Sequence, residues 1–150
     1  MTPDVKAFVA NLRLTGSVLE VGSYDVNGNV RGLFPEYLGL DMREGPNVDI
    51  VAEAAHLPFI SGVFDNVLCL EMIEHDKTFW LSIAEMKRVL KSGGALVITV
   101  PSYGFPKHDY PSDYYRFSDA AIAELLSDME DVHVMSNPEE HRVYAICRKP

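Results

Sequence analysis

The stretch VLEVGSYDVNGNVRGLFPEYLGLD, Val18 to Asp41, constrains the fold more than any other part of this chain. An apolar run carrying Glu20 turns at Gly22, a loop closes at Gly28, and a second apolar run ends in Asp41. This reads as a strand, a tight loop, a short helical turn and a second strand with a carboxylate at its tip. In a parallel α/β sheet such a unit sets a nucleotide-like ligand over the carboxyl ends of neighbouring strands.

The middle of the loop narrows the choice of ligand. A dinucleotide turn needs a central glycine so that backbone can approach a pyrophosphate. Here Ser23-Tyr24-Asp25-Val26-Asn27 fills that space with side chains, one of them an anion that would repel a diphosphate. No GKS or GKT follows, so the loop is not a phosphate-binding P-loop. A ribose-bearing ligand without phosphates, preferably cationic, suits it better. A nicotinamide-dependent oxidoreductase is therefore disfavoured.

At 150 residues the chain has the length of one domain. With 47% apolar and 23% charged residues it has the profile of a globular protein. Its apolar runs are short of a membrane span and its N-terminus lacks a secretory pattern, so a cytoplasmic location is expected. Cys69 and Cys147 fall in predicted strands as buried reduced thiols without metal-site spacing. A net charge of −9, from 13 basic against 22 acidic residues, disfavours long nucleic acids and anionic membranes as partners.

Thr2-Pro3 starts a helix, with Val5, Phe8, Val9 and Leu12 at helical spacing. Strands follow at Ser17–Val21, Tyr37–Leu40, Asn47–Ala52 and Phe64–Leu70. Asp76 or Thr78 begins a helix whose stripe is Phe79, Ile83, Met86 and Leu90, and which Gly93-Gly94 stops. Ala95–Val100 is a fifth strand, Ser118 caps a last helix, and Val132–Met135 with Val143–Cys147 form an antiparallel pair. This alternation predicts an α/β sheet.

Five patterns now stand in order at compact spacing: VLEVGSYDVNG, YLGLDM, EAAHLPF, FDNVLCLEMIEH and RVLKSGGALVITVPS. Together, over roughly residues 16 to 118, they resemble the class I S-adenosylmethionine-dependent methyltransferases. The resemblance implies a seven-stranded, mostly parallel Rossmann-like sheet with helices on both faces and the last strand antiparallel. It implies S-adenosyl-L-methionine as cofactor. Glu20 and the Gly22 turn would face its methionine part, within a loop that also holds Ser23, Tyr24 and Gly28. Asp41 would accept hydrogen bonds from the ribose hydroxyls, and Met42 would pack on the adenine face. Glu53, where the family usually has Asp, would meet the adenine amino group beside the Ala54 backbone, and Glu71 would flank the amino-acid end. The chain departs from the family in lacking the middle glycine and in its short helices after the first and third strands.

Acidic residues at Glu20, Asp41 and Glu53 match a cofactor that presents an ammonium, a diol and a ring amine. Beyond the fifth strand, Pro101–Ser118 crowds six aromatics into a proline-stiffened loop, the position of a substrate wall or lid. Tyr103, His108, Tyr110, Asp113 and Tyr114 are its candidate acceptor contacts. The stretch HDYPSDYYRF resembles small bacterial methyltransferases, including some acting on sugars or other small metabolites. Methyl transfer needs a general base only when the acceptor must lose a proton, and His75 and His108 are the candidates. Glu74-His75-Asp76 is local in sequence and gives no convergent ligand geometry, so no metal site is expected. The expected activity is methyl transfer to oxygen or nitrogen of a small molecule. The alternative is a non-catalytic S-adenosylmethionine-binding regulatory or partner subunit, and a homodimer covering the open mouth is compatible with either.

Overall fold

A computed structural model describes residues 2–109 and 112–150. Seven strands form one sheet: β1 (Val18–Val21), β2 (Tyr37–Asp41), β3 (Ile50–Val51), β4 (Phe64–Leu70), β5 (Leu90–Pro101), β6 (Glu130–Asn137) and β7 (Arg142–Arg148). Their spatial order is β3-β2-β1-β4-β5-β7-β6. The first five pair in parallel, and β7 runs antiparallel between β5 and β6. The helices are α1 (Pro3–Asn11), α2 (Phe79–Val89) and α3 (Asp119–Leu125).

The central strands are apolar on both faces because each face is covered. Leu19, Val21, Val67, Cys69, Leu96 and Ile98 pack with Ile83 and Met86 of α2 and Ile122 of α3. Val18, Leu68, Leu70 and Val97 face the other way, with Val5 and Val9 of α1. The alternation along β5 assigns its side chains by turns to the two layers. Both cysteines are buried and free. Among the described residues no helix is long and apolar enough to cross a membrane.

Two expected boundaries shift, each for a local reason, and the connections after the first and third strands are as short as expected. The third strand shrinks to Ile50–Val51. Asn47 sits at φ +68 and turns its amide to the Ser23 carbonyl and the Tyr37 hydroxyl, while the Asp49 carboxylate accepts the Gly39 N–H at 2.7 Å. Side-chain bonds there replace the ladder. Helix α2 ends at Val89, because Leu90 turns extended and pairs beside Phe64; Gly93-Gly94 thus lies inside β5. Between β1 and β2 only a 3-10 turn at Arg31–Leu33 forms, and residues 58–63 form no helix.

From β1 the chain moves outward to β2 and β3, then returns to β4 and β5 on the other side. The crossovers diverge at β1 and open a crevice at the carboxyl ends of β1, β2 and β4. Glu20, Asp41 and Glu71 all lie there.

Candidate active site

A cleft of about 1110 Å³ opens at that edge of the sheet. Its wall includes Glu20, Gly22, Ser23, Tyr24, Gly28, Asp41, Met42, Glu53, Ala54 and Glu71, together with His75, His108 and Tyr114.

Gly22 holds φ +83, and a Cβ there would overlap Met72, so the turn needs glycine to pass this close to the chain leaving β4. The next residues settle the steric question posed by the loop. The Tyr24 ring stacks on the Arg43 guanidinium at 4.4 Å and covers Gly45, where no side chain would fit. Asp25 turns back into its own loop, accepting the Gly28 N–H and the Asn29 amide at 2.6 Å each. Those bonds hold its carboxyl below the usual range, and Asp25 is not on the cleft wall. Ser23 is buried with its hydroxyl committed to the Asn47 carbonyl at 3.0 Å.

The acids differ in their surroundings. Asp41 ends β2 with its carboxylate accepting backbone N–H groups of Tyr24 at 3.3 Å and Arg43 at 3.0 Å. Glu20 is 3% exposed, and burial pushes its carboxyl up to about 7 against the opposing hydrogen bond from the Tyr37 hydroxyl. Glu53 is largely exposed beside His56. Glu71, in the left-handed region at φ +57, pairs through Oε2 with buried Arg142 at 3.0 Å.

At the other end of the cleft, a 3-10 turn at Ile73–His75 faces the loop after β5. The Glu74 carbonyl accepts the N–H groups of Tyr114 and Tyr115 at 2.9 and 3.2 Å, which fixes that loop to the turn. Arg116 clamps Asp113, holding its carboxyl far below the ordinary range, and Asp113 in turn accepts the His108 N–H at 2.8 Å. His108 is thereby carried to Glu74 and His75, with the two imidazoles edge to face at 4.8 Å. The expectation that Glu74 and His75 lack convergent partners does not hold. Ligand atoms of Glu74, His75 and His108 lie within 4.8 Å of one another. Burial raises the Glu74 carboxyl, and the Glu74 carboxylate beside His108 raises that imidazole.

Two acceptor candidates fall elsewhere. Tyr103 is 93% exposed and off the cleft wall. Asp113 is turned into its ion pair with Arg116 and also lies off the wall, so it positions His108 rather than meeting a ligand. Tyr110 lies outside the described residues. Sequence reasoning set Glu74 aside as a purely local neighbour of His75 and did not single out Arg142 or Asn47. Only Glu74 carried a signal, as an acid inside an apolar turn.

The family model described as "Methyltransferase domain" matches residues 28–98. An uncharacterised protein of Methanocaldococcus jannaschii is 39% identical over 51 residues, a stretch spanning 34% of this chain and 22% of that relative. Among solved structures, the chain is similar to a Thermotoga maritima S-adenosylmethionine-dependent methyltransferase, described as a possible histamine N-methyltransferase. The TM-score is 0.78 at 17% identity, covering 97% of this chain and 88% of that one. It is also similar to the Burkholderia thailandensis 1,6-didemethyltoxoflavin-N1-methyltransferase, solved with 1,6-didemethyltoxoflavin and S-adenosylhomocysteine. There the TM-score is 0.74 at 19% identity, with 98% and 77% covered. At such identities the likeness to these structures is one of fold.

Proposed function

We propose that the chain is a class I S-adenosylmethionine-dependent methyltransferase, a reading supported by its sheet order and the domain match over residues 28–98, and that it methylates an oxygen or nitrogen of a small, hydroxyl- or amine-bearing metabolite. The observation that carries this reading is the continuity of one cleft. The acids at the ends of β1 and β2 and the pair His75 and His108 line the same cavity of about 1110 Å³. Drug-sized ligands occupy clefts of roughly 300–1,000 Å³, so a nucleoside cofactor and a compact acceptor fit together.

In the cofactor half, Asp41 receives the ribose diol and Glu20 the ammonium. Met42, 64% exposed, offers an apolar face to the adenine, with Glu53 and Ala54 at the ring's polar edge. The sulfonium is already an activated leaving group, so alignment and exclusion of water supply much of the rate. In the acceptor half, Phe105 and Tyr114 form an aromatic wall, and His75 and His108 stand where an acceptor proton would leave.

A thermal shift separates the readings. S-adenosylmethionine at about 100 times its Kd should add about 2.7 kcal/mol, or roughly 5–10 °C for a chain of this size. A shift with NAD alone would overturn the proposal. Methyl incorporation from labelled cofactor across a metabolite panel then distinguishes an enzyme from a binding subunit.

Glu20 gives the binding step a pH dependence. Its folded-state value, about 7, lies above the ordinary 4.5, with burial as the cause. Its contribution to stability is therefore full below the ordinary range and is lost as pH rises through 7. Binding of the ammonium needs the ionised form. Cofactor affinity should then rise about tenfold between pH 6 and pH 8, with proton release visible as a buffer-dependent binding enthalpy. Glu20→Gln should flatten that rise; an equally steep profile in the variant would remove Glu20 from cofactor binding.

A further inference from the structure

Glu74 is 0% exposed, and neither of its carboxylate oxygens accepts a hydrogen bond from the described residues. A buried carboxylate left in this state is costly unless something cationic meets it. The atoms facing it are the Nε2 of His75 and the Nε2 of His108, each 3.6 Å from Oε1.

The other nitrogen of each ring fixes the tautomer. His75 Nδ1 meets the Ser112 carbonyl, which can only accept, so Nδ1 carries the proton. His108 Nδ1 lies 3.4 Å from both the Pro106 carbonyl and the Asp113 carboxylate, again acceptors only. In their neutral form, imidazoles held this way present Nε2 lone pairs toward the Glu74 carboxylate. Three lone-pair-bearing atoms then converge on one point. Metal-binding histidines are held in this manner, with the distal N–H on a carbonyl or carboxylate that orients the ring.

We propose that Glu74, His75 and His108 form a binding site for one divalent first-row transition-metal ion, with its open coordination position facing the acceptor end of the cleft. Ligand bonds of about 2.0–2.1 Å in a tetrahedral site put neighbouring donors about 3.4 Å apart. The 3.6 Å separations of Glu74 Oε1 from each Nε2 are close to that edge, and the three donor atoms as a set lie within 4.8 Å, so the two rings draw together as the ion binds. Two imidazoles and a carboxylate suit zinc or iron(II) rather than magnesium. Both histidines also line the cleft, which leaves the fourth position accessible from that side.

A role for the ion rests on the methyl-transfer reading, whereas its binding does not. With the ion bound, both imidazoles are engaged at Nε2 and keep their proton at Nδ1, so neither serves as the base; an acceptor hydroxyl at the open position would instead have its pKa lowered and lose its proton to bulk water. An oxygen lone pair then forms the O–CH3 bond as the S–CH3 bond breaks, its electron pair leaving on the neutral thioether of S-adenosylhomocysteine.

The test is direct metal binding by the full chain after chelator treatment and dialysis. Titration with Co²⁺, followed by its visible absorption, and with Zn²⁺ by calorimetry should each show one equivalent per chain. His108→Ala should weaken Zn²⁺ affinity by more than about a hundredfold, since even loss of an outer partner of a ligand costs 10–100-fold. Far-UV circular dichroism and the melting temperature of His108→Ala establish that it folds; should it not fold, His108→Gln repeats the measurement. Absence of stoichiometric binding by the wild type, or equal binding by the folded variant, overturns the site. S-adenosylmethionine affinity measured in parallel keeps the two proposals apart: metal bound without cofactor sinks the methyl-donor reading, and cofactor bound without metal sinks this one.

Discussion

Replacing Asp41 by alanine is expected to raise the Kd for S-adenosylmethionine about ten- to hundredfold. Charge-assisted hydrogen bonds contribute about 1.5–3 kcal/mol, and each 1.4 kcal/mol is a factor of ten in affinity. Asp41 is 8% exposed, so such bonds form there with little competition from water. The carboxylate already accepts the Tyr24 and Arg43 N–H groups. An ionised carboxylate offers about four acceptor positions, which leaves capacity for a diol. The variant also releases the backbone of the Gly22–Gly28 loop from the tip of β2, so part of the loss is one of preorganisation. Asp41→Asn, which keeps one carbonyl acceptor, should lie between wild type and Asp41→Ala. Calorimetric titration giving wild-type affinity for Asp41→Ala would show that the ribose is not held here.

The legibility of this residue in the sequence has a physical reason. A parallel strand brings the residue at its carboxyl end to the same edge of the sheet whatever the loops do, so Glu20, Asp41 and Glu71 reach the crevice once the strands are recognised. Phe64–Leu70 was recognisable because burial on both faces demands an unbroken apolar run. Where side chains compete with the backbone, the pattern misleads. Asn47 and Asp49 draw hydrogen bonds away from the ladder and shorten β3, and pairing beside Phe64 ends α2 ahead of its glycines. The meeting of Glu74 with His108 was hidden for another reason. It depends on how a proline-rich loop folds back, which is set by the Arg116–Asp113 clamp and by two N–H groups bonded to the Glu74 carbonyl. No periodicity encodes such tertiary contacts.

Arg142 was hidden in the same way, and its removal is expected to have the largest effect on stability. It begins β7, pairs with Pro101 of β5, and reaches across to the loop leaving β4. Its side chain is 4% exposed and places Nε and a terminal nitrogen 3.1 and 3.0 Å from Glu71 Oε2, over the Phe105 ring at 5.0 Å. Glu71 Oε1 is buried without a hydrogen-bond partner, so Arg142 is the main compensation for that charge among the described residues. Removing one member of a buried pair costs about 3–5 kcal/mol, chiefly through the uncompensated charge left behind. Arg142→Met keeps much of the volume and isolates that term. It should lower the melting temperature by roughly 6–15 °C. Glu71→Gln placed in the same chain should restore part of the loss, because the orphaned charge goes with it. A melting temperature within about 2 °C of wild type for Arg142→Met would mean that water enters the cleft and solvates Glu71. Full additivity of the two substitutions would instead show that the pair contributes no coupling to the fold.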